Sequence, residues 1–338
     1  MAVNTTGDIS ERVGVKCVKR LLRVGQPLLV TQRFAQMDTQ EQNSGKVRKW
    51  RRYHSFAVTT APMAEGVTPA GHGMPFTDYV ATLQQFGDVV ELTDIVADTH
   101  EDPILKEMVD KSGEQFAKVI EAITIDTLKG GSNVFYASGV ASRSLVNAPP
   151  KRSDIHLITR AFNRANASPI SRMIAPSEKV STAGILAGFY AMGSTDLDAD
   201  IRAMTGFESV VSYGNPGQAT AGEMGAVLNV RFILTPNFEP WEAAGEAGTT
   251  YLSSGTAPGS SVACDVYPLI VVARDAYACV RLQGREAVKI MVLNPNTPRG
   301  GDPSGQRGSV AWKTMYACAI TNEQWIARLE CACTANPA

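Results

Sequence analysis

Apolar residues at 104, 105, 108, 109, 116, 119, 120, 123 and 128 recur at helical spacing and predict a helix over 103–129. Thr99 or Asp102 is placed to cap it, Glu101 and Asp102 favour its positive N-terminal end, and Pro103 is tolerated in a first turn. Glu107–Lys111 and Glu114–Lys118 fall four residues apart on the polar side, and Gly130-Gly131 stops the helix. At ~1.5 Å per residue it reaches roughly 40 Å, long enough to act as a spine. A shorter helix is predicted over 153–167, where Ile155, Leu157, Ile158, Ala161, Phe162 and Ala165 recur before Ser168-Pro169. Thr195, followed by Asp196 and Asp198, reads as the cap of a third.

Elsewhere β-branched and aromatic residues dominate. Residues 46–58 predict a strand, and residues 78–96 a longer strand or strand pair, with Gly87 after Phe86 as a candidate bulge. Between them lies a linker carrying Pro62, Gly66, Pro69, Gly71, Gly73 and Pro75, far longer than a tight hairpin turn needs. A long two-stranded arm is not stable alone in water, so it must lie on something. Further strands are predicted at 185–192, 227–235, 266–273 and 288–293, followed by a Pro- and Gly-rich loop over 294–308. Residues 309–332 predict a terminal hairpin turning at Thr321-Asn-Glu-Gln. Residues 1–45, with scattered Arg12, Lys16, Lys19, Arg20 and Arg23, predict an extended arm without a core of its own. The class is α+β, and no internal repeat is present.

Composition narrows the function classes. Of the 338 residues, 44% are apolar and 19% charged, a balance that excludes intrinsic disorder. The longest apolar stretches fall well short of the ~18–20 residues that span a bilayer. The N-terminus lacks the apolar core of a signal peptide, so folding in a cytoplasm is expected. The net charge of −1 conceals an asymmetry. Residues 1–60 carry 11 Lys/Arg against 4 Asp/Glu, and residues 61–130 carry 4 against 13. A +7 segment therefore precedes a −9 segment, which fits a nucleic-acid contact, a contact between copies, or neutralisation within one fold.

Candidate chemistry is sparse. The six cysteines form no CxxC and no zinc-type grouping with histidine, and read as unpaired structural thiols. No phosphate-binding GxxxxGK[ST], nucleophile elbow or HExxH occurs. Asp196-x-Asp198-x-Asp200 imitates the opening of a calcium loop, but Ile201 and Phe207 stand where that loop needs Gly and Glu. The four histidines are scattered, so neither catalysis nor a cofactor is expected. The run Lys46-Val-Arg-Lys-Trp-Arg-Arg suits phosphate binding, protection of an exposed strand edge, or docking on an acidic surface.

Four stretches in order carry a resemblance. They are Glu65-Gly-Val-Thr-Pro with Ala81-Thr-Leu-Gln-Gln-Phe-Gly-Asp-Val-Val-Glu-Leu-Thr-Asp, and Asp98-Thr-His-Glu-Asp-Pro-Ile-Leu-Lys-Glu leading to Gly131-Ser-Asn-Val-Phe-Tyr-Ala. Gly222-Glu-Met-Gly-Ala-Val-Leu-Asn-Val-Arg-Phe and Asp302-Pro-Ser-Gly-Gln-Arg-Gly-Ser-Val-Ala-Trp-Lys-Thr follow, with Trp325-Ile-Ala-Arg. Together they resemble the major capsid proteins of tailed bacteriophages, in the branch of the phage N-four coat protein. The resemblance implies the α+β Hong Kong 97-type capsid fold, which bacterial encapsulin shells share. The expected divisions are an N-terminal arm (1–45), an extended β-hairpin loop (46–97), a peripheral domain (98–180) holding the spine helix, an axial domain (181–304) and a return to the peripheral domain (305–338).

The implied role is structural. Hexamers and pentamers of the chain would close an icosahedral shell around double-stranded DNA, which the inner wall touches non-specifically. Expected partners are further copies, a separate scaffolding protein, a portal and a decoration or cement protein, with no membrane. The expected location is the virion, after assembly in the host cytoplasm. Contacts between copies are expected at Arg48, Trp50, Arg51, Arg52, Phe76, Tyr79 and Phe86, where the basic strand would meet the acidic hairpin or spine of the next copy. An encapsulin-like compartment, or an enzyme or DNA-binding module, stays open as the alternative.

Overall fold

The structure is a computed structural model and describes residues 29–335 apart from 59, 61, 64, 67, 69–70, 100–103, 176–180, 213–218, 249, 254–261, 284–287 and 299. Two sheets share the chain. The first is built around β16 (Arg307–Ile320), which pairs antiparallel with β4 (Gln84–Thr93), β14 (Tyr277–Leu282) and β15 (Val288–Leu293). β1 (Gln36–Gln40) adds parallel to β14. The second runs β5 (Val134–Tyr136), β17 (Ile326–Cys331), β13 (Tyr267–Val272), β7 (Ser181–Gly193), β10 (Val230–Leu234), β9 (Glu223–Val227) and β8 (Phe207–Ser209), with β6 (Ile170–Ala175) also on β7. Two two-stranded ladders complete the set: β2 (Val47–Tyr53) with β3 (Phe76–Thr82), and β11 (Ala247–Gly248) with β12 (Val262–Ala263).

The helices are α1 (Asp94–Thr99), the spine helix α2 (Ile104–Lys129), α3 (Arg152–Arg164) and the short α4 (Asp198–Arg202). Among the described residues, no helix is long and apolar enough to cross a membrane. Every residue of β13 is buried, because the second sheet is covered on both faces. On one side Ile155, Ile158 and Phe162 of α3 pack against Phe189, Leu269, Val271 and Leu329. On the other, Tyr190, Met192, Ile270 and Val272 join Ile120, Ile125 and Leu128 of α2 and Trp312 and Tyr316 of β16. Pro268 is tolerated inside β13 because β7 begins to pair only at Ile270, so one edge beside the proline needs no N–H.

β16 alternates as a half-buried strand should, with Val310, Trp312, Thr314 and Tyr316 turned inward. Trp312 meets Phe116 edge-on at 5.4 Å, and the hydroxyls of Tyr316 and Thr124 hydrogen-bond at 2.8 Å. One side of α2 is thereby held along much of its length.

Several expectations change. The segment 78–96 divides at buried Leu83 into β3 and β4, which leave for different ladders, and its end is helix α1. Gly87 is no bulge: β4 stays in register with β16 through Gly87↔Lys313. The glycine serves close approach instead, since a Cβ there would lie 2.5 Å from the Trp312 carbonyl oxygen. The strand expected over 46–58 ends at Tyr53. Ser194, not Thr195, caps the turn into α4, accepting from the Asp196 N–H. The strand expected at 227–235 is β10, turned back from β9 at Leu228-Asn229, with Leu228 at φ 57°. The terminal hairpin does not form, because β16 and β17 enter different sheets. The sheets also cut across the expected divisions, with 277–293 in the first and 326–331 in the second. β1, β5, β6, β8, β9, β11, β12 and β14 have no counterpart among the expected strands. The cap residue Asp102 and the arm up to residue 28 lie outside the described residues.

What is described of the arm is anything but coreless. Val30, Phe34 and Ala35 are buried, and Phe34 stacks on Tyr190 at 4.3 Å. Its anchor is Glu121 on α2, fully buried, whose carboxylate accepts from Val30 N (3.2 Å), Thr31 N (2.9 Å) and Thr31 Oγ1 (2.8 Å). Tyr277 donates to the Thr31 carbonyl as well. Burial pushes the Glu121 carboxyl above the ordinary glutamate range, against the pull of those donors and of Arg33. The thiols of Cys264, Cys279, Cys318, Cys331 and Cys333 are free, with Cys279 and Cys318 facing each other at 3.7 Å. Cys17 lies outside the described residues.

Glu121→Ala leaves three buried donors without an acceptor and should cost about 2–4 kcal/mol in urea denaturation. Because the folded-state pKa is raised, the carboxyl costs stability as pH climbs from its ordinary range toward that raised value. Glu121→Gln should remove this part of the pH dependence and destabilise less than Ala. Gly87→Val drives a branched side chain into the Trp312 carbonyl, and hydrogen exchange should show β4 losing protection before the rest of its sheet.

Candidate assembly surface

The hairpin β2–β3 stands on the body by one face only. Along β2 the residues alternate exposed and half-buried, the latter being Arg48, Trp50 and Arg52. Trp50 packs on Ala81, Leu83, Val280 and Ala317, joining the hairpin to β14 and β16. Its indole N–H donates to Asp38 at 3.1 Å, and Arg48 reaches the same carboxylate at 2.8 Å. Arg52 lies over the Trp325 ring at 5.4 Å.

On the outer face Arg51 stands opposite Asp78 in register and grips both its oxygens at 2.8 and 3.0 Å, with Lys49 at 3.3 Å. These hydrogen bonds hold the Asp78 carboxyl down to about 2. Arg51 also covers the Phe76 ring at 4.2 Å, and Tyr53 meets that ring edge-on. The basic strand is thus largely matched within its own chain, by Asp38 and Asp78. Neutralisation inside the fold, one of three readings open from the charge pattern, is realised at Arg48, Lys49 and Arg51.

Beside the paired Lys49 and Arg51, the hairpin leaves a set of large apolar side chains to solvent. Val47, Tyr53, Phe56, Met74, Phe76 and Val80 are all more than half exposed, and Val58 and Met63 reach 89% and 74%. A second exposed group follows directly: Val89 and Val90 on β4, then Ile95 and Val96 on α1. Large apolar side chains left this exposed in such numbers suit a surface that binds something. Beside Val90 runs a groove of about 530 Å³ lined by Ile104, Glu107, Met108, Lys111, Ser112 and Gln115. The Ser112 hydroxyl is buried there without a partner. Gln115 closes the inner wall, donating to Asp88 and accepting from the Trp312 indole at 3.2 Å.

Of the residues expected from sequence, Arg48, Trp50, Arg51, Arg52, Phe76 and Tyr79 gather on the hairpin, Tyr79 facing Trp50 across the strands. Phe86 does not join them; it is half-buried against the core under the spine helix. Sequence reasoning missed Val58, Met63, Val89, Val90 and Ile95. Their signal was present: large apolar residues in a Pro/Gly-rich linker and on a strand with no second apolar layer to cover them. Among the described residues no cluster of His, Cys, Asp and Glu could hold a metal ion.

A family model described as phage capsid protein matches residues 77–329. The major capsid protein of Pseudomonas phage KPP21 is 24% identical over 269 residues, covering 73% of this chain and 66% of that relative's length. The capsid of Ralstonia phage GP4 has the same fold at a TM-score of 0.64 and 13% identity, covering 90% of this chain and 89% of the other. The SrpI encapsulin of Synechococcus elongatus is similar at a TM-score of 0.51 and 9% identity, over 90% of this chain and 87% of its own.

Trp50→Ala removes the ring that seats the hairpin and should weaken its docking by about 1–2 kcal/mol. Limited proteolysis should then cut within 54–75 roughly tenfold faster, while the midpoint of global unfolding barely moves.

Proposed function

This chain belongs to the phage capsid protein family, with the α+β Hong Kong 97-type fold, and we propose that it is the major capsid protein of a tailed phage. Copies assemble as hexamers and pentamers into an icosahedral shell around double-stranded DNA. The role is structural rather than catalytic. The observation that carries it is the exposed apolar hairpin and the apolar groove beside the spine helix, two surfaces that one fold leaves open at once. A second copy satisfies both, with its hairpin laid over the β4–α2 groove. Val58, Met63, Phe76 and Val80 then supply the buried area. Glu91, Asp94 and Glu107 near the groove complement the positive charge that Lys49 and Arg51 carry on the hairpin's outer face.

Scaffolding, portal and cement proteins are separate chains in this reading, and assembly takes place in the host cytoplasm. An encapsulin-type compartment shares the fold, but the family match is to phage capsids, which favours the phage shell.

The test is co-expression with the scaffolding partner, imaged by negative stain. Wild type should give closed particles or rings of capsomers. Val58→Asp with Met63→Asp should leave the far-UV circular dichroism of the subunit unchanged and abolish closure, since two charges would have to be buried in each contact. A wild-type chain that stays monomeric with its scaffold overturns the shell reading. Normal shells from the double variant overturn the role of the hairpin.

A further inference from the structure

Helix α3 presents an exposed, positively charged face. Ile155, Ile158 and Phe162 are fully buried, and its one acidic residue, Asp154, is buried and accepts from the Lys151 N–H at 3.1 Å. The opposite side shows Arg152, His156, Arg160, Asn163 and Arg164, with Leu157 at its border. Successive members of the series 152, 156, 160 and 164 turn by ~40° on a helix, so all four occupy one arc of about 120°.

Arginines elsewhere in the chain are mostly matched: Arg48 by Asp38, Arg51 by Asp78, Arg143 and Arg328 by Glu330, Arg202 by Asp198 and Arg231 by Glu223. On α3, Arg152 donates only to the Thr205 carbonyl at 3.3 Å, and Arg160 and Arg164 make no ion pair with any described residue. Helix stability explains only part of the pattern. The macrodipole favours Arg164 in the last turn, but Arg152 stands at the positive N-terminal end, where a cation is unfavourable.

We propose that this face of α3 is a sequence-independent binding surface for duplex DNA, and that the packaged genome touches it; the second clause rests on the capsid reading above. Guanidinium forks bind phosphate oxygens in pairs, and the cationic positions here, Arg152, Arg160 and Arg164, are all arginine. From Arg152 to Arg164 the helix advances about 18 Å. Alongside a duplex that length meets about five phosphates of each strand, at ~3.4 Å of axis per phosphate. With no carboxylate on this face, phosphates approach without repulsion. A single helix face of arginines grips the backbone and leaves base sequence unread.

The test uses the full chain and a fluorescein-labelled 20-base-pair duplex of arbitrary sequence, followed by anisotropy from 50 to 200 mM KCl. Arg160→Gln with Arg164→Gln keeps good helix formers and removes two charges, so the circular dichroism should not change. The slope of log affinity against log salt should become shallower by about two, and affinity at the lowest salt should fall on the order of tenfold. Shells of the variant should still close while retaining less DNA. Unchanged affinity and slope in a folded variant overturn the proposal. So does a loss confined to binding of a polyglutamate peptide, which would make an acidic protein the occupant. Wild-type chain that binds DNA through α3 but never builds a shell would sink the capsid reading and leave the binding surface standing.

Discussion

The burial of one face of β16 against the spine helix is the contact on which the rest of the molecule depends. Trp312 on Phe116 and Tyr316 on Thr124 set the distance and rotation between strand and helix. Because β16 also pairs with β4, β14 and β15, that contact positions the whole first sheet. β4 leads directly from the hairpin, so the hairpin and the groove beside the helix are placed by the same few side chains. Gly87 lets β4 come close enough, and Glu121 fastens the start of the described chain to the far part of the same helix. Strain at any of these points would be felt at the assembly surface.

The hairpin divides its two kinds of interaction in a physically sensible way. Its charges are mostly used up at short range, in cross-strand and strand-to-strand pairs with Asp78 and Asp38. Exposed ion pairs of that type add little free energy, but they hold two strands in register. The apolar residues are the ones left uncovered, and burial of apolar area is what drives association most strongly. The apolar side chains of the hairpin are therefore free to contribute to association, while its charges are already paired within the chain.

The α3 face contrasts with this. Its buried side packs into the core, and its arginines form no ion pair with any described residue. A charged, screened surface of that sort suits weak and reversible contact with a polyanion better than the permanent burial the hairpin invites. The exposed apolar surface and the arginine face therefore sit on different elements of the fold.

Local pattern was enough to read the spine helix, α3, β10, β13, β15 and the strands of the hairpin, because 3.6-residue and two-residue periodicities are imposed by each element's own buried face. The hairpin's need for a covering surface was also legible, from the length of its linker alone. Pairing was not. That β16 and β17 part company, that residues 84–93 leave the hairpin for β16, and that Phe86 turns into the core are decided by which distant strand offers a free edge. The same holds for the basic strand. Its charge could be counted along the chain, but only the fold brings Asp38 and Asp78 within 3 Å of Arg48 and Arg51 and so matches that charge inside the chain. Periodicity is a property of neighbours in sequence, whereas charge matching and strand pairing are properties of neighbours in space.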